Sequence, residues 1–262
     1  MVPTNWTLAG RRALVCGASR GIGRAAAQAI AGLGAEVVLL ARTEQALTQV
    51  ANHIREGGGT ASIAVADLDD RDGLDAVLAG LVEAGPIHVL VNNTGGPPSG
   101  PILDAGEDAI LHAFSRHVLA AHRMVRAVLP GMTQAGYGRI INVLSTSVKE
   151  PIDNLGVSNM MRAAVASWAK TLSRELPPGV TINNVLPGFT ATDRLSSLAD
   201  AIAARRGCTP EEVRVGWRAV TPEGRIADPS ELGAAIAFLA SPGGSFVRGV
   251  SLPVDGGRLR SI

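Results

Sequence analysis

Ala13-Leu14-Val15-Cys16-Gly17-Ala18-Ser19-Arg20-Gly21-Ile22-Gly23 passes from a short apolar run into a turn holding three glycines. Ala13 to Cys16 has the profile of a strand buried on both faces. The alanine-rich stretch after the turn, Arg24 to Leu33, reads as a helix. Strand, glycine turn and helix start together make an anion site. Glycine lets the backbone approach a phosphate, and the free N–H groups of the first helical turn point at it. The spacing is G-x-x-x-G-x-G, which differs from the general fingerprint G-x-G-x-x-G. Taken alone, the triplet also reads as an ordinary tight turn. The rest of the chain has to decide between the two.

Outward from this stretch, strand-like and helix-like segments alternate. Six further runs read as strands: 36–40, 61–66, 88–91, 139–144, 181–186 and 250–254. Helical patterns lie between them at 22–33, 44–56, 71–84, 107–129, 158–175 and 230–240. That order predicts an α/β fold: a Rossmann-type, doubly wound parallel sheet of about seven strands in three α/β/α layers. Ligands on such a sheet bind beyond the carboxyl ends of its strands, so the residues just after each strand carry the functional information. The 262 residues suit one nucleotide-binding domain, 1–262. The longest break in the rhythm, 190–223, contains two short helical patterns and reads as a substrate lid, or equally as a packing elaboration or subunit contact.

Composition excludes several functions. The net charge of +1 offers no field for nucleic acid or an anionic membrane. Aromatic residues make up 3% of the chain, too few for base-stacking platforms. The two cysteines, Cys16 and Cys208, form no C-x-x-C pair, and the five histidines make no metal pattern. The start Met1-Val2-Pro3-Thr4-Asn5-Trp6 lacks the basic-then-apolar order of a secretion signal. No apolar run reaches the roughly 18 residues of a membrane span. A soluble cytoplasmic protein is the expectation.

Several strand-end segments then coincide. The glycine turn is followed by Ala66-Asp67-Leu68, Asn92-Asn93-Thr94-Gly95, Ile141-Asn142-Val143-Leu144-Ser145, Asn184-Val185-Leu186-Pro187-Gly188 and Val254-Asp255-Gly256-Gly257. In this order the chain resembles the short-chain dehydrogenase/reductase family, nearest its 3-oxoacyl-acyl-carrier-protein reductase branch. The resemblance implies a nicotinamide dinucleotide, a small carbonyl or alcohol substrate, and a homo-oligomer, tetramer or dimer. It assigns Gly17, Ser19, Arg20, Gly21, Ile22 and Gly23 to the pyrophosphate and ribose turn. Asp67 and Leu68 would flank adenine, although Asp67 also reads as a helix N-cap. Asn92, Thr94 and Gly95 would lie beside the adenosine ribose, and Pro187, Gly188, Thr190 and Thr192 would hold the nicotinamide carboxamide. Charge favours NADP(H) over NAD(H). The second strand ends Leu39-Leu40-Ala41-Arg42 with no acid to grip a ribose 2′-OH, and Arg42 with Arg20 suits a 2′-phosphate.

The family's chemistry rests on serine, tyrosine, lysine and asparagine, and here the resemblance breaks. Ser145 matches the serine. Thirteen residues on, the tyrosine position holds Ser158, and four further the lysine position holds Arg162. The asparagine position holds His117. A tyrosine can be brought toward neutral pH by a neighbouring ammonium, whereas a serine needs a partner base. Arg162 keeps the positive charge and can still hold the nicotinamide ribose, but it does not release a proton. Tyr137, the one tyrosine in the chain, precedes the fifth strand while Ser145 follows it, which separates them by about 26 Å. It is expected to be structural. His117, titrating near neutrality, and Lys149 are the remaining proton donors, together with water. Three readings follow: an NADP(H)-dependent oxidoreductase with an atypical proton path, a catalytically impaired NADP(H)-binding protein acting as sensor or oligomer partner, and a lyase or isomerase in the same pocket.

Overall fold

A computed structural model describes residues 6–261. The residues Met1 to Asn5, read above for a secretion signal, lie outside the described residues. The seven apolar runs become β1 (Arg12–Cys16), β2 (Glu36–Ala41), β3 (Thr60–Val65), β4 (Val89–Asn92), β5 (Gly138–Val143), β6 (Val180–Pro187) and β7 (Ser251–Val254). They form one parallel sheet in the order β3-β2-β1-β4-β5-β6-β7. The helices are α1 (Gly21–Gly32), α2 (Glu44–Glu56), α3 (Arg71–Glu83), α4 (Glu107–Phe114), α5 (Ala120–Gln134), α6 (Gly156–Glu175), α7 (Asp193–Arg206), α8 (Pro210–Ala219) and α9 (Pro229–Ala240).

Alternation along each strand sorts the core into two layers. Ala13, Val15, Val37, Leu39, Val89 and Val91 pack with Ile30 of α1, Leu47 of α2 and Ile236 of α9. Leu14, Cys16, Val38, Leu40 and Leu90 turn the other way, onto Leu74 of α3 and Met124 of α5. Both faces are covered, which is why the strands read as continuous apolar runs. The three-layer expectation is met. Strand order reverses between β1 and β4, and the crevice outside their carboxyl ends is where this architecture binds ligands.

A polar seam crosses that carboxyl side. Asn92, Asn142, Asn184 and Ser251 sit opposite one another in register. Asn92 Nδ2 donates to Asn142 Oδ1 at 2.8 Å, Asn142 Nδ2 to Asn184 Oδ1 at 2.9 Å, and Asn184 Nδ2 to Ser251 Oγ at 3.0 Å. The three amides are buried. A slip of one residue would turn each of them to the other face, so the seam fixes the pairing of β4 through β7.

The expected helix over 107–129 is not continuous. A π-helical turn over Ser115–Leu119 separates α4 from α5. An extra residue enters the turn there, and such insertions occur often at functional sites. The two helical patterns in 190–223 form as α7 and α8. Thr209 and Glu212 close a capping box at the start of α8, and Glu211 pairs with Arg218 at 2.6 Å, so the adjacent acids Glu211 and Glu212 belong to a solvated first helical turn.

At the amino-terminal edge of the sheet, Tyr137 is structural, as expected. Its hydroxyl donates to Ala240 O at 2.7 Å, and its ring lies between the guanidinium groups of Arg11 and Arg139, 4.2 and 4.1 Å from the centroid. Arg139 donates in turn to Gly138 O and Gly179 O at 2.8 and 2.9 Å. Among the described residues, no helix is long and apolar enough to cross a membrane, and no cluster of metal-ligating side chains forms.

Candidate active site

The turn after β1 is built around two glycines. Gly17 has φ +60°, a conformation side chains resist. A Cβ on Gly23 would fall 2.2 Å from Gly17 O and 2.6 Å from Asn93 Nδ2. Asn93 Nδ2 donates to Cys16 O and Gly17 O at 3.3 Å each, so it buttresses the turn from β4. Sequence reasoning passed over Asn93, although it lies inside the segment quoted for its neighbours. Ser19 and Ile22 flank Arg20 and Gly21 in the same turn. Arg20 is exposed and lies 3.8 Å from Asp193 at the start of α7. Cys16 is packing: burial pushes its thiol up to about 12.

The ends of β2 and β3 form the next wall. Arg42, Val65, Ala66, Asp67, Asp70 and Val77 line a cavity of about 410 Å³. Arg42 Nη1 lies 3.7 Å from Asp67 Oδ2, and both side chains face solvent. The second strand therefore ends without an acid, as the sequence indicates, but β3 supplies one. Exposed pairs of this kind hold weakly and can be exchanged for another anion. The N-cap alternative for Asp67 is corrected: Asp70 caps α3 by accepting from Gly73 N at 3.1 Å, while Asp67 accepts from Asp69 N. Leu68 packs against the α3 side of the core.

Ser145 follows β5 as the cap of a short 3-10 turn, its Oγ accepting from Ser147 N at 3.1 Å. Ser158 and Arg162 stand four residues apart on α6 and share one face, both buried. Arg162 Nη1 donates to Val143 O at 2.8 Å and Nη2 to Thr94 O at 3.2 Å. Its guanidinium thus bridges the ends of β5 and β4. Burial, reinforced by the charge of Arg194, lowers its pKa to about 10, so it stays protonated at neutral pH. Three side chains converge on Gly96, beyond Gly95. A Cβ there would stand 3.5 Å from Arg194 Nη2, 3.7 Å from Arg162 Nη2 and 3.8 Å from Ser158 Oγ. Asn159 turns away, donating to Ile152 O at 2.8 Å and holding the 150–155 loop. Lys149 is exposed on the turn after Ser145.

His117 requires a correction. The π turn carries it inward, where Nδ1 lies 2.7 Å from Thr94 Oγ1 and the ring is buried. Burial first, then the charges of Arg162, Arg116 and His112, lowers its pKa to about 3. It is neutral across the physiological range and does not titrate near neutrality, so it is no source of protons there. Its Nε2 and the Oδ1 of Asn92 find no hydrogen-bond partner. Both residues line a cavity of about 10 Å³ shared with Asn142, Val143 and Arg162. The Asn92 side chain is committed to the polar seam.

The last wall comes from β6 and the carboxyl tail. Pro187 and Gly188 lead into Thr190, whose Oγ1 donates to Gly188 O at 3.2 Å, and Thr192, which caps α7 by accepting from Leu195 N. Phe189 stacks on Trp217 of α8 at 5.0 Å, and the guanidinium of Arg258 lies over its ring, 4.8 Å from the centroid. Arg258 also donates to Thr146 Oγ1 at 2.8 Å, and Glu150 accepts from the backbone N–H groups of Arg260 and Ser261 at 2.9 Å. The tail is therefore fastened to the turn that follows Ser145. Arg194, at the start of α7, donates to Pro97 O at 2.9 Å. Sequence reasoning did not single it out; a basic residue opening the helix after a strand-end loop was the available signal.

A family profile described as Enoyl-(Acyl carrier protein) reductase matches residues 17–258. The chain is 35% identical over 254 residues to the 3-oxoacyl-[acyl-carrier-protein] reductase FabG of Vibrio harveyi, covering 95% of this chain and 98% of that one. Among solved structures it resembles L-sorbose reductase from Gluconobacter frateurii, complexed with NADPH and L-sorbose. That match has a TM-score of 0.93 at 29% identity and covers 99% of this chain and 100% of the other. A 3-oxoacyl (acyl-carrier-protein) reductase from Agrobacterium tumefaciens C58 with NADP bound gives 0.88 at 28% identity, covering 98% and 97%.

Proposed function

The chain belongs to the short-chain dehydrogenase/reductase family, and from that premise we propose that it is an NADP(H)-dependent oxidoreductase acting on a carbonyl or alcohol by an atypical proton path. One observation carries the reading: the glycine turn retains its Asn93 buttress while Ser158 and Arg162 still converge where the strand ends meet. The cradle fits a dinucleotide: Gly17 and Gly23 let the backbone close tightly, and among the described residues no side chain caps the start of α1, whose first N–H groups suit a pyrophosphate. When bound, the nicotinamide supplies or accepts hydride. Arg42 takes the 2′-phosphate in exchange for its loose pair with Asp67, with Leu68 beside adenine and Arg20 at the ribose. Thr94 and Gly95 lie beside the adenosine ribose, and Pro187, Gly188, Thr190 and Thr192 hold the nicotinamide end, with Arg162 at its ribose.

Ser145 polarises the carbonyl oxygen by donating to it. Arg162, fixed by two backbone carbonyls, places a permanent positive charge where negative charge develops on that oxygen. Ser158 passes on a proton that water resupplies. The neutral His117 orients Thr94 rather than joining this relay. Residues 190–223 serve as the lid, supported by the bond from Arg194 to the 96–101 loop. Exposed Leu111 and Phe114 on α4 support pairing of copies into an oligomer.

Titrating the protein into NADPH and following fluorescence tests the site, and NADPH consumption against ketones, quinones and acyl thioesters tests the chemistry. Binding with turnover on at least one class is expected. Binding with no turnover on any of them replaces this reading with that of a catalytically impaired NADP(H)-binding protein. A Ser158→Ala variant with an unchanged rate removes Ser158 from the relay.

A further inference from the structure

The arginines at the carboxyl edge of the sheet fall into two groups. Arg20 has Asp193 at 3.8 Å, Arg42 has Asp67 at 3.7 Å and Arg116 has Asp69 at 3.5 Å. Arg162 and Arg194 have no carboxylate within ion-pair distance among the described residues, yet their Nη2 atoms stand 3.7 and 3.5 Å from one point above Gly96. Like charges so placed repel; Arg162 is buried and fixed, whereas Arg194 is exposed and held over this point by a single bond. Arg162 is tied to Val143 O and Thr94 O, and Arg194 reaches back to Pro97 O. The third group at that point is the Ser158 hydroxyl, 3.8 Å away, another donor. Glycine at 96 keeps the point clear of any side chain. Two guanidinium groups and a hydroxyl converging on one position offer paired donors and net positive charge, the recognition chemistry of a carboxylate.

We propose that the substrate is an oxo acid, bearing a carboxylate within one or two carbons of the reacting carbonyl, and that Arg194 with Arg162 holds that carboxylate above Gly96. The proposal rests on the oxidoreductase reading for its chemistry. One hydride adds to the carbonyl carbon and one proton to its oxygen, the reduced dinucleotide is oxidised, and the product is the hydroxy acid. Arg194 is the specificity element, because it comes from the insertion after β6, whereas Arg162 occupies a position that is basic throughout the resemblance.

The test is calorimetric. Protein loaded with NADP+, which cannot reduce the ligand, is titrated with 2-oxobutyrate, with 3-oxobutyrate and with the methyl ester of each. At least one acid is expected to bind tenfold or more tighter than its ester, with the difference shrinking as salt is raised. Arg194→Met should bring the acid-to-ester ratio close to one, and Arg194→Lys should restore part of it. Equal binding of acid and ester, or binding of neither, overturns the proposal. So does an Arg194→Met variant that weakens NADP+ while keeping the ratio, since Arg194 then serves the cofactor. A parallel turnover assay separates the two readings. Acid preference without NADPH consumption upholds the anion site and refutes catalysis, and equal turnover of acid and ester does the reverse.

Discussion

Two pairs of arginines close on opposite edges of one sheet, and they close on different things. At the amino-terminal edge, Arg11 and Arg139 clasp the ring of Tyr137, and the phenol is bonded to Ala240. At the carboxyl edge, Arg162 and Arg194 close on a glycine. The first arrangement satisfies itself: cation faces ring, hydroxyl faces carbonyl. The second leaves positive charge pointing at open backbone. Unpartnered atoms follow the same division. Among the described residues, five buried side-chain atoms lack a hydrogen bond; Asn92 Oδ1, Arg116 Nε, His117 Nε2 and Ser147 Oγ lie toward the carboxyl edge, and Thr181 Oγ1 does not. An edge that serves only stability can close nearly all its polar groups. One that receives a ligand holds some of them open.

Substitutions can break or sharpen this contrast. The largest effect is expected from Gly23→Ala. Its Cβ would meet Gly17 O at 2.2 Å, so the turn must move. NADPH affinity should fall about a thousandfold or more, roughly 4 kcal/mol, as read by fluorescence titration; an affinity within tenfold of the parent would show that the turn does not hold the dinucleotide. Next comes acid sensitivity. His117 has a folded pKa of about 3 against an ordinary 6.5. The unfolded chain therefore binds the extra proton first, and the stability that comes from keeping the ring neutral is full above pH 6.5. It declines as pH falls through the window from 6.5 toward 3, by up to about 1.4 kcal/mol per unit. Urea midpoints at pH 7, 6 and 5 should show this slope in the parent and a shallower one in His117→Asn. Identical slopes would mean that the ring is not held neutral.

Smaller effects are expected at the rims. Arg42→Ala should reduce the preference for NADPH over NADH about tenfold, near 1.4 kcal/mol, measured as a ratio of KM values. An unchanged ratio would remove Arg42 from 2′-phosphate recognition. The smallest is Tyr137→Phe, which removes the bond to Ala240 O and should lower the urea-derived stability by about 1 kcal/mol. NADPH affinity should stay at the parent value; a parallel loss of binding would erase the distinction between the two edges.

Much of this was legible in the chain. Parallel strands announce themselves because both faces are buried, and the glycine turn because its backbone geometry admits little else. Tyr137 could be assigned to the far edge by counting along β5. What stayed hidden depends on side chains meeting across the fold. The periodicity of 107–129 suggests one helix, because a π turn changes the phase by a single residue and leaves composition untouched. His117 looks like a neutral-pH switch until its burial beside Arg162 is known. Asp67 and Asp70 are equally good caps on paper, and only the start of α3 decides between them. Arg194 lies 98 residues beyond Gly96, and no local pattern joins them.

The asparagine seam has a consequence for assembly of the fold. Each interior amide both gives and receives, so no rung is correct unless its neighbours are. A sheet paired one residue out of step would strand several amides at once, and that arrangement would reopen sooner than it could be consolidated by packing. The seam behaves as a proofreading device: it makes closure of β4 through β7 nearly all-or-none.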